Sequence, residues 1–271
     1  ASGPAGGPDP GAEPSCQLAR CAGAMDAGWL EAVAPLYAQH MGCENMGPLL
    51  YSLVRFLKPA SCLEVGAGYT TAFVLQALQD SSSEARLWAR WAEAVGTAKR
   101  DAWLAPTPAL DAADAAVLHC VDNLAHAGTT AHRALDVAER LGLADRLRLH
   151  LDDAAAWIRE SEAEVPTFDF VWLDGLLDFA QPTSEASIGT AIDGFLSLLW
   201  PRVAAGGFVL LHSTLTNSTV RKWLDGVEGA PWGPPGAALS LLEPHKRFQN
   251  SVTLLQRRPA GFREPTYSTL P

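Results

Sequence analysis

Five short, almost unbroken apolar runs are spaced through the chain, and each is followed by a stretch with helical periodicity. The runs are SCLEV (61–65), AAVLHCV (115–121), RLRLHL (146–151), FDFVWLD (168–174) and GFVLLH (207–212). Between them lie TTAFVLQAL (70–78), HAGTTAHRALDVAERLG (126–142), AAAWIRES (154–161) and ASIGTAIDGFLSLLW (186–200), with another helix near 218–227. Strands that are apolar on both faces need helices on both faces. The alternation therefore specifies an α/β architecture around a parallel sheet.

Two further strand-like runs, ALSLLE (238–243) and SVTLLQR (251–257), read as an antiparallel pair closing one edge. Right-handed crossovers then predict a doubly wound, Rossmann-like, mostly parallel seven-stranded sheet over 61–258. Ahead of it, residues 25–60 carry two helical segments, about Ala27–Met41 and Gly47–Leu57. Residues 1–24 form a Gly/Pro-rich arm without periodicity, and 259–271 a tail. Between the first helix and the second strand, about 81–112 is longer than a simple connection needs. It reads as an inserted helix plus loop carrying Trp88, Trp91 and Trp103, of the kind that often serves as a lid.

The bulk numbers narrow the function classes. A 271-residue chain that is 48% hydrophobic can bury one large core. No apolar run approaches the ~18–20 residues that cross a bilayer, so a soluble protein with no membrane partner is expected. A net charge of −10 argues against a nucleic-acid surface, which needs clustered Lys and Arg. Five cysteines, an odd number with no C-x-x-C pair, argue against a disulfide framework or a zinc knuckle. A cytoplasmic location follows, or a reducing organelle lumen if an N-terminal targeting segment was removed.

The junction SCLEVGAGYTTAFVLQAL (61–78) joins a strand to a helix through Gly66-Ala67-Gly68. In open α/β sheets ligands bind beyond the carboxyl ends of the strands, at this switch point. Glycines there let the backbone approach a ligand and adopt positive φ. A dinucleotide fingerprint wants a third glycine where Thr71 stands, and an acid ~20 residues on. Here the next strand-end acid is Asp122, far later, so an NAD-dependent oxidoreductase loses ground. Glu64, just before the glycines, would repel a diphosphate and suits a ligand with an amino group or sulfonium.

Seven segments in order resemble the class I S-adenosylmethionine (SAM) dependent methyltransferases, most closely the small-molecule O-methyltransferases of the catechol type. They are ENMGPLL (44–50), LEVGAGYTT (63–71), VDN (121–123), GLADRLRL (142–149), DDA (152–154), FDFVWLDG (168–175) and GGFVLLH (206–212). The resemblance covers about Met46 to Asn217. It implies SAM as cofactor, S-adenosylhomocysteine as product and a small-molecule methyl acceptor. Gly66 and Gly68 would lie against the methionine part, with Glu64 near its ammonium. Asp122, helped by Asn123, would accept the ribose hydroxyls, and Asp153 would face the adenine amino group. Tyr69, Thr70, Met46 and Gly47 would line the cofactor.

The pattern departs from the family at the metal. Catechol-type enzymes hold a divalent ion with the strand-four Asp and an Asp-Asn pair after strand five, assisted by a Lys. This chain keeps Asp174 but has His212-Ser213 in place of the pair and Leu177 in place of the Lys. A hard Mg²⁺ site is therefore doubtful. Asp174 and His212 leave a softer metal open, although a metal-free reading is preferred. In that reading His212 is the general base and Asp174 orients it or binds a cationic acceptor. His40, His119, His126, His132, His150 and His245 have no comparable placement. Candidate acceptor liners are Trp172, Phe179, Thr214, Trp88 and Trp91.

The leading expectation is methyl transfer to oxygen or nitrogen of a small molecule. A non-catalytic SAM- or nucleotide-binding scaffold is the alternative from another class, because fold never proves chemistry. An aminopropyltransferase is a weaker enzyme alternative. The oligomeric state is open, with a homodimer the default for an enzyme of this size.

Overall fold

A computed structural model describes residues 26–38, 43–95, 114–160, 166–175, 182–233, 235–243 and 250–258. Its seven strands are β1 (Ser61–Val65), β2 (Val117–Val121), β3 (Leu147–His150), β4 (Phe168–Leu173), β5 (Val203–His212), β6 (Ala237–Leu242) and β7 (Ser251–Gln256). They form one sheet in the order β3-β2-β1-β4-β5-β7-β6. The first five are parallel, whereas β7 runs antiparallel to β5 and β6 antiparallel to β7. The doubly wound, mostly parallel sheet anticipated from the sequence is present. The order reverses between β1 and β4, which opens a crevice at their carboxyl ends.

Helices cover both faces. α1 (Ala27–Val33), α2 (Met46–Leu57), α3 (Tyr69–Val95) and α4 (Ala134–Arg140) lie on one side. There Leu50, Val54, Phe73 and Leu78 pack on Cys62, Leu118, Cys120 and Trp172 of the sheet. α5 (Ala154–Glu160), α6 (Ile188–Leu199) and α7 (Ser218–Asp225) lie on the other. There Trp157, Ile192, Leu196 and Val220 pack on Leu63, Val65, Val171 and Leu211. Strand alternation sorts β1 accordingly: Leu63 and Val65 face one layer, while Cys62 and Glu64 face the other.

Three element expectations change. The first N-terminal helix stops at Val33 and gives way to a 3₁₀ turn over Ala34–Leu36, with Pro35 among its first residues. Proline supplies no N–H to continue an α-helix. Residues 126–130 are irregular, and the expected helix over 126–142 begins only after a 3₁₀ turn, Ala131–Arg133. The insertion is no separate helix at its start, because α3 continues unbroken for 27 residues to Val95. The serine run 81–83 does not interrupt the helix, and its side chains are taken up by Asp114 (Ser82) and the Gln79 carbonyl (Ser83). The rest of the insertion, 96–113, lies outside the described residues. Among the described residues no helix is long and apolar enough to cross a membrane.

Candidate active site

Parallel register brings the carboxyl ends of four strands side by side. Val65 pairs with Val121 and with Leu173, and Leu173 pairs with Leu211. The next residues out, Gly66, Asp122, Asp174 and His212, therefore converge. The Gly66 N–H donates to the Val121 carbonyl at 2.9 Å and the Asp174 N–H to the Val65 carbonyl at 3.0 Å. Gly66 has φ +92°, a backbone conformation that residues with a side chain rarely adopt, so the tight turn favours glycine.

Above this turn lies a cavity of about 330 Å³, within the ~300–1,000 Å³ range of small-molecule sites. Gly66, Gly68 and Tyr69 form its floor, with Asp122, Asn123 and Asp153 along one side. Asp174 and His212 close the far end. Five carboxylates line it: Glu44, Asp122, Asp152, Asp153 and Asp174. Among the described lining residues none is Lys or Arg.

The acids are held by backbone donors. Asp122 accepts from the Ala67 N–H at 3.0 Å and the Leu124 N–H at 2.7 Å, so it braces the glycine turn as it faces the cavity. Asn123 accepts from the Ala125 N–H, and Asp153 from the Ala156 N–H at the start of α5. Leu124 (φ +58°) and Ser213 (φ +56°) take left-handed conformations beside these residues. Such backbone costs of order 1–3 kcal/mol and clusters at functional sites.

At the far end His212 Nδ1 lies 2.6 Å from Asp174 Oδ1, and the Cys43 thiol donates to Asp174 Oδ2 at 3.2 Å. His212 Nε2 is buried without a hydrogen-bond partner among the described residues. An orphaned N–H would cost more than a bare nitrogen, so the proton belongs on Nδ1, donated to Asp174. Burial, with Asp174 beside it, pushes the Cys43 thiol well above its ordinary pKa.

Several expected site residues sit elsewhere. Glu64 is fully buried on the α3 side of β1 and is absent from the cavity wall. It accepts from Thr70 Oγ1 at 2.5 Å and from the Cys120 thiol at 3.1 Å. Burial pushes its carboxyl up to about 7, against the opposing pull of hydrogen bonds from Thr70, Thr71 and Cys120. Strand alternation is the reason, since Glu64 shares its face with Cys62 rather than with the strand end. Thr70 is buried with it.

Met46 and Gly47 are buried in the α2–α3 contact, where a Cβ on Gly47 would meet the Phe73 ring at 2.6 Å. Trp172 lies beneath His212, with ring centroids 5.3 Å apart, and is fully buried. Thr214 is buried against Thr253 at 2.6 Å. Trp88 lies about five turns along α3 from Tyr69 and donates to Glu84. Trp91 is one turn further, its side chain outside the described residues, as is Phe179. Conversely, Cys43, Glu44, His126 and Thr129–Thr130 enter the wall unannounced. Cys43 and Glu44 precede α2, whereas His126 and Thr129–Thr130 fall in a stretch expected to be helical that is irregular in the fold, and Cys43 was legible only as one thiol among five.

A family model described as a methyltransferase domain matches residues 63–214, more than half of the chain. The chain belongs to the methyltransferase-domain family. The matched span of this methyltransferase domain runs from β1 to just past β5, so it contains every strand end that walls the cavity.

Solved structures share the fold at low identity. The O-methyltransferase TomG from Streptomyces achromogenes, involved in tomaymycin synthesis and solved with SAM, is 15% identical. The match covers 87% of this chain and 91% of that one, with a TM-score of 0.55. An O-methyltransferase from Bacillus cereus, solved with SAH, is 14% identical over 84% and 87%, with a TM-score of 0.53. Cofactor-bound Rv0187 from MTB is 13% identical over 87% and 92%, with a TM-score of 0.55. No functionally curated protein matches the sequence.

Proposed function

We propose that this methyltransferase domain carries a methyl group from SAM to an oxygen or nitrogen of a small-molecule acceptor. The observation that carries the reading is a cavity at the sheet's switch point with five carboxylates and, among its described residues, no Lys or Arg. Such a field attracts a ligand bearing ammonium and sulfonium charges and repels a diphosphate. That the first three solved relatives named above hold SAM, SAH or a cofactor supports the same ligand.

The donor set fits SAM. Asp122 is pre-oriented by two backbone N–H groups, and each of its oxygens retains a lone pair for a ribose hydroxyl. Asp152 and Asp153 stand at the start of α5, where an adenine amino group finds acceptors. Gly66 and Gly68 leave the floor bare for the methionine part, and Asp174 and Glu44 give its ammonium carboxylate neighbours. Glu64 acts from behind the floor, tying Thr70 and the start of α3 to β1.

SAM supplies an electrophilic methyl on a sulfonium sulfur, open to in-line displacement. The protein's share is to hold the acceptor collinear at near-attack distance and to take its proton. The Asp174–His212 pair is the proton acceptor. Its carboxylate faces the cavity, and the imidazole behind it steadies the charge through Nδ1. His212 thereby assists Asp174 instead of reaching the acceptor through Nε2. Five cysteines, an odd number with no C-x-x-C pair, favour a reducing compartment such as the cytoplasm.

The test is calorimetric titration with S-adenosylhomocysteine, with NADH as control and Asp122→Ala as the variant. Micromolar binding that falls at least about tenfold in the variant, with none for NADH, is expected. No binding of S-adenosylhomocysteine by the folded protein overturns the reading and leaves a scaffold as the better account.

A further inference from the structure

The far end of the cavity gathers three side chains of unlike chemistry from three separate elements. Cys43 stands just before α2, Asp174 follows β4 and His212 ends β5. Each offers one ligating atom, and these atoms all lie within 4.8 Å of one another. Cys43 and His212 are buried, and Asp174 is half-buried at the cavity wall. Methyl transfer as argued above uses Asp174 and His212 but gives the Cys43 thiol no role.

Mg²⁺ does not fit this set. It demands an octahedral shell of oxygens, and here one carboxylate is joined by a sulfur and an imidazole. Thiolate and imidazole select a softer, four-coordinate ion. We infer that Cys43, Asp174 and His212 form a binding site for a divalent metal of the zinc class, with a fourth position left to the cavity. Metal–ligand bonds of ~2.0–2.3 Å at tetrahedral angles place ligand atoms about 3.3–3.8 Å apart. The contacts to Asp174, 2.6 Å from His212 and 3.2 Å from Cys43, reach that spacing by small side-chain rotations. On loading, the thiol proton leaves to solvent, the imidazole proton passes from Nδ1 to Nε2 so that Nδ1 can ligate, and the thiolate and carboxylate balance the dication. A neutral unit is thus buried, which lowers the cost of placing charge there. Three protein ligands and an open fourth position are the pattern of catalytic rather than structural zinc sites. The proposal departs from the metal-free reading of the sequence because the fold brings Cys43 beside Asp174 and His212.

The inference does not rest on methyl transfer, and its test reads the metal directly. The full chain, stripped with a chelator, is titrated with Co²⁺ and followed by absorption, with S-adenosylhomocysteine binding measured in parallel. One Co²⁺ per chain is expected, with intense visible bands of tetrahedral Co²⁺ and a near-ultraviolet thiolate charge-transfer band. Zn²⁺ should displace it and Mg²⁺ should not. Cys43→Ser should abolish the charge-transfer band and weaken Zn²⁺ binding at least about tenfold. His212→Ala provides the second variant if Cys43→Ser does not fold, and should weaken Zn²⁺ comparably. Absence of the thiolate band in the natural chain, or its persistence in Cys43→Ser, overturns the site. A metal signal without S-adenosylhomocysteine binding would leave the metal site standing and sink the cofactor reading alone.

Discussion

Glu64 shows how much a single position depends on which way a strand faces. Read as the carboxylate before the glycine turn, it belongs with the ligand. In the fold it is sealed behind the turn, with its carboxyl pushed up to about 7 by burial. A pKa raised above the ordinary 4.5 means the folded state holds the proton more tightly than the unfolded one. That stability is fully present below about 4.5 and is lost as pH rises through about 7. At about 1.4 kcal/mol per pH unit the span is worth about 3 kcal/mol. Glu64→Gln should flatten the stability profile between about pH 4.5 and 7, measured by urea unfolding at several pH values. An unchanged slope would refute the assignment. At the catalytic end, Asp174→Asn should lower kcat for an acceptor found by screening by about 10²–10⁴-fold. S-adenosylhomocysteine affinity should fall far less, by about tenfold for the lost ammonium neighbour, and a variant of full activity would remove Asp174 from proton transfer.

Elements were legible where periodicity is strong and no breaker intervenes. From Tyr69 to Val95 there is neither Gly nor Pro, so α3 runs on through the serines that suggested an insertion boundary. Pro35 and Gly128 were equally visible, yet neither says by itself how far a helix withdraws from it. The resulting irregular segments, around Tyr37 and Thr129, are those that wall the cavity. Gly47 belongs to this scale too. It stands in a motif expected to touch the cofactor, and in the fold it lies where α2 packs closely on Phe73 of α3. Gly47→Ala should destabilise the fold by about 1–3 kcal/mol through overpacking, seen as a lower Tm. S-adenosylhomocysteine binding well below the new Tm should be retained. A variant as stable as the natural chain would mean that the α2–α3 contact opens without cost.

At the scale of the molecule, the net charge of −10 is spread along the chain, but tertiary structure concentrates part of it at one cavity. Sulfonium-bearing SAM should therefore bind more tightly than neutral-sulfur S-adenosylhomocysteine at low salt. The ratio should shrink as ionic strength rises, because screening weakens partly exposed charges. Equal affinities at low salt would show that the carboxylates do not act on the sulfonium. The succession of strands and helices along the chain, the mostly parallel doubly wound sheet, the glycine turn and the strand-end acids Asp122 and Asp174 were determined by sequence alone. Apolar periodicity, crossover handedness and glycine's freedom at positive φ act locally or through simple topology. Only tertiary structure decided that Glu64 faces inward, that Trp88 and Thr214 lie away from the cavity, and that Cys43 meets Asp174 and His212. Those facts depend on register between distant strands and on the path of irregular loops, which no local pattern encodes.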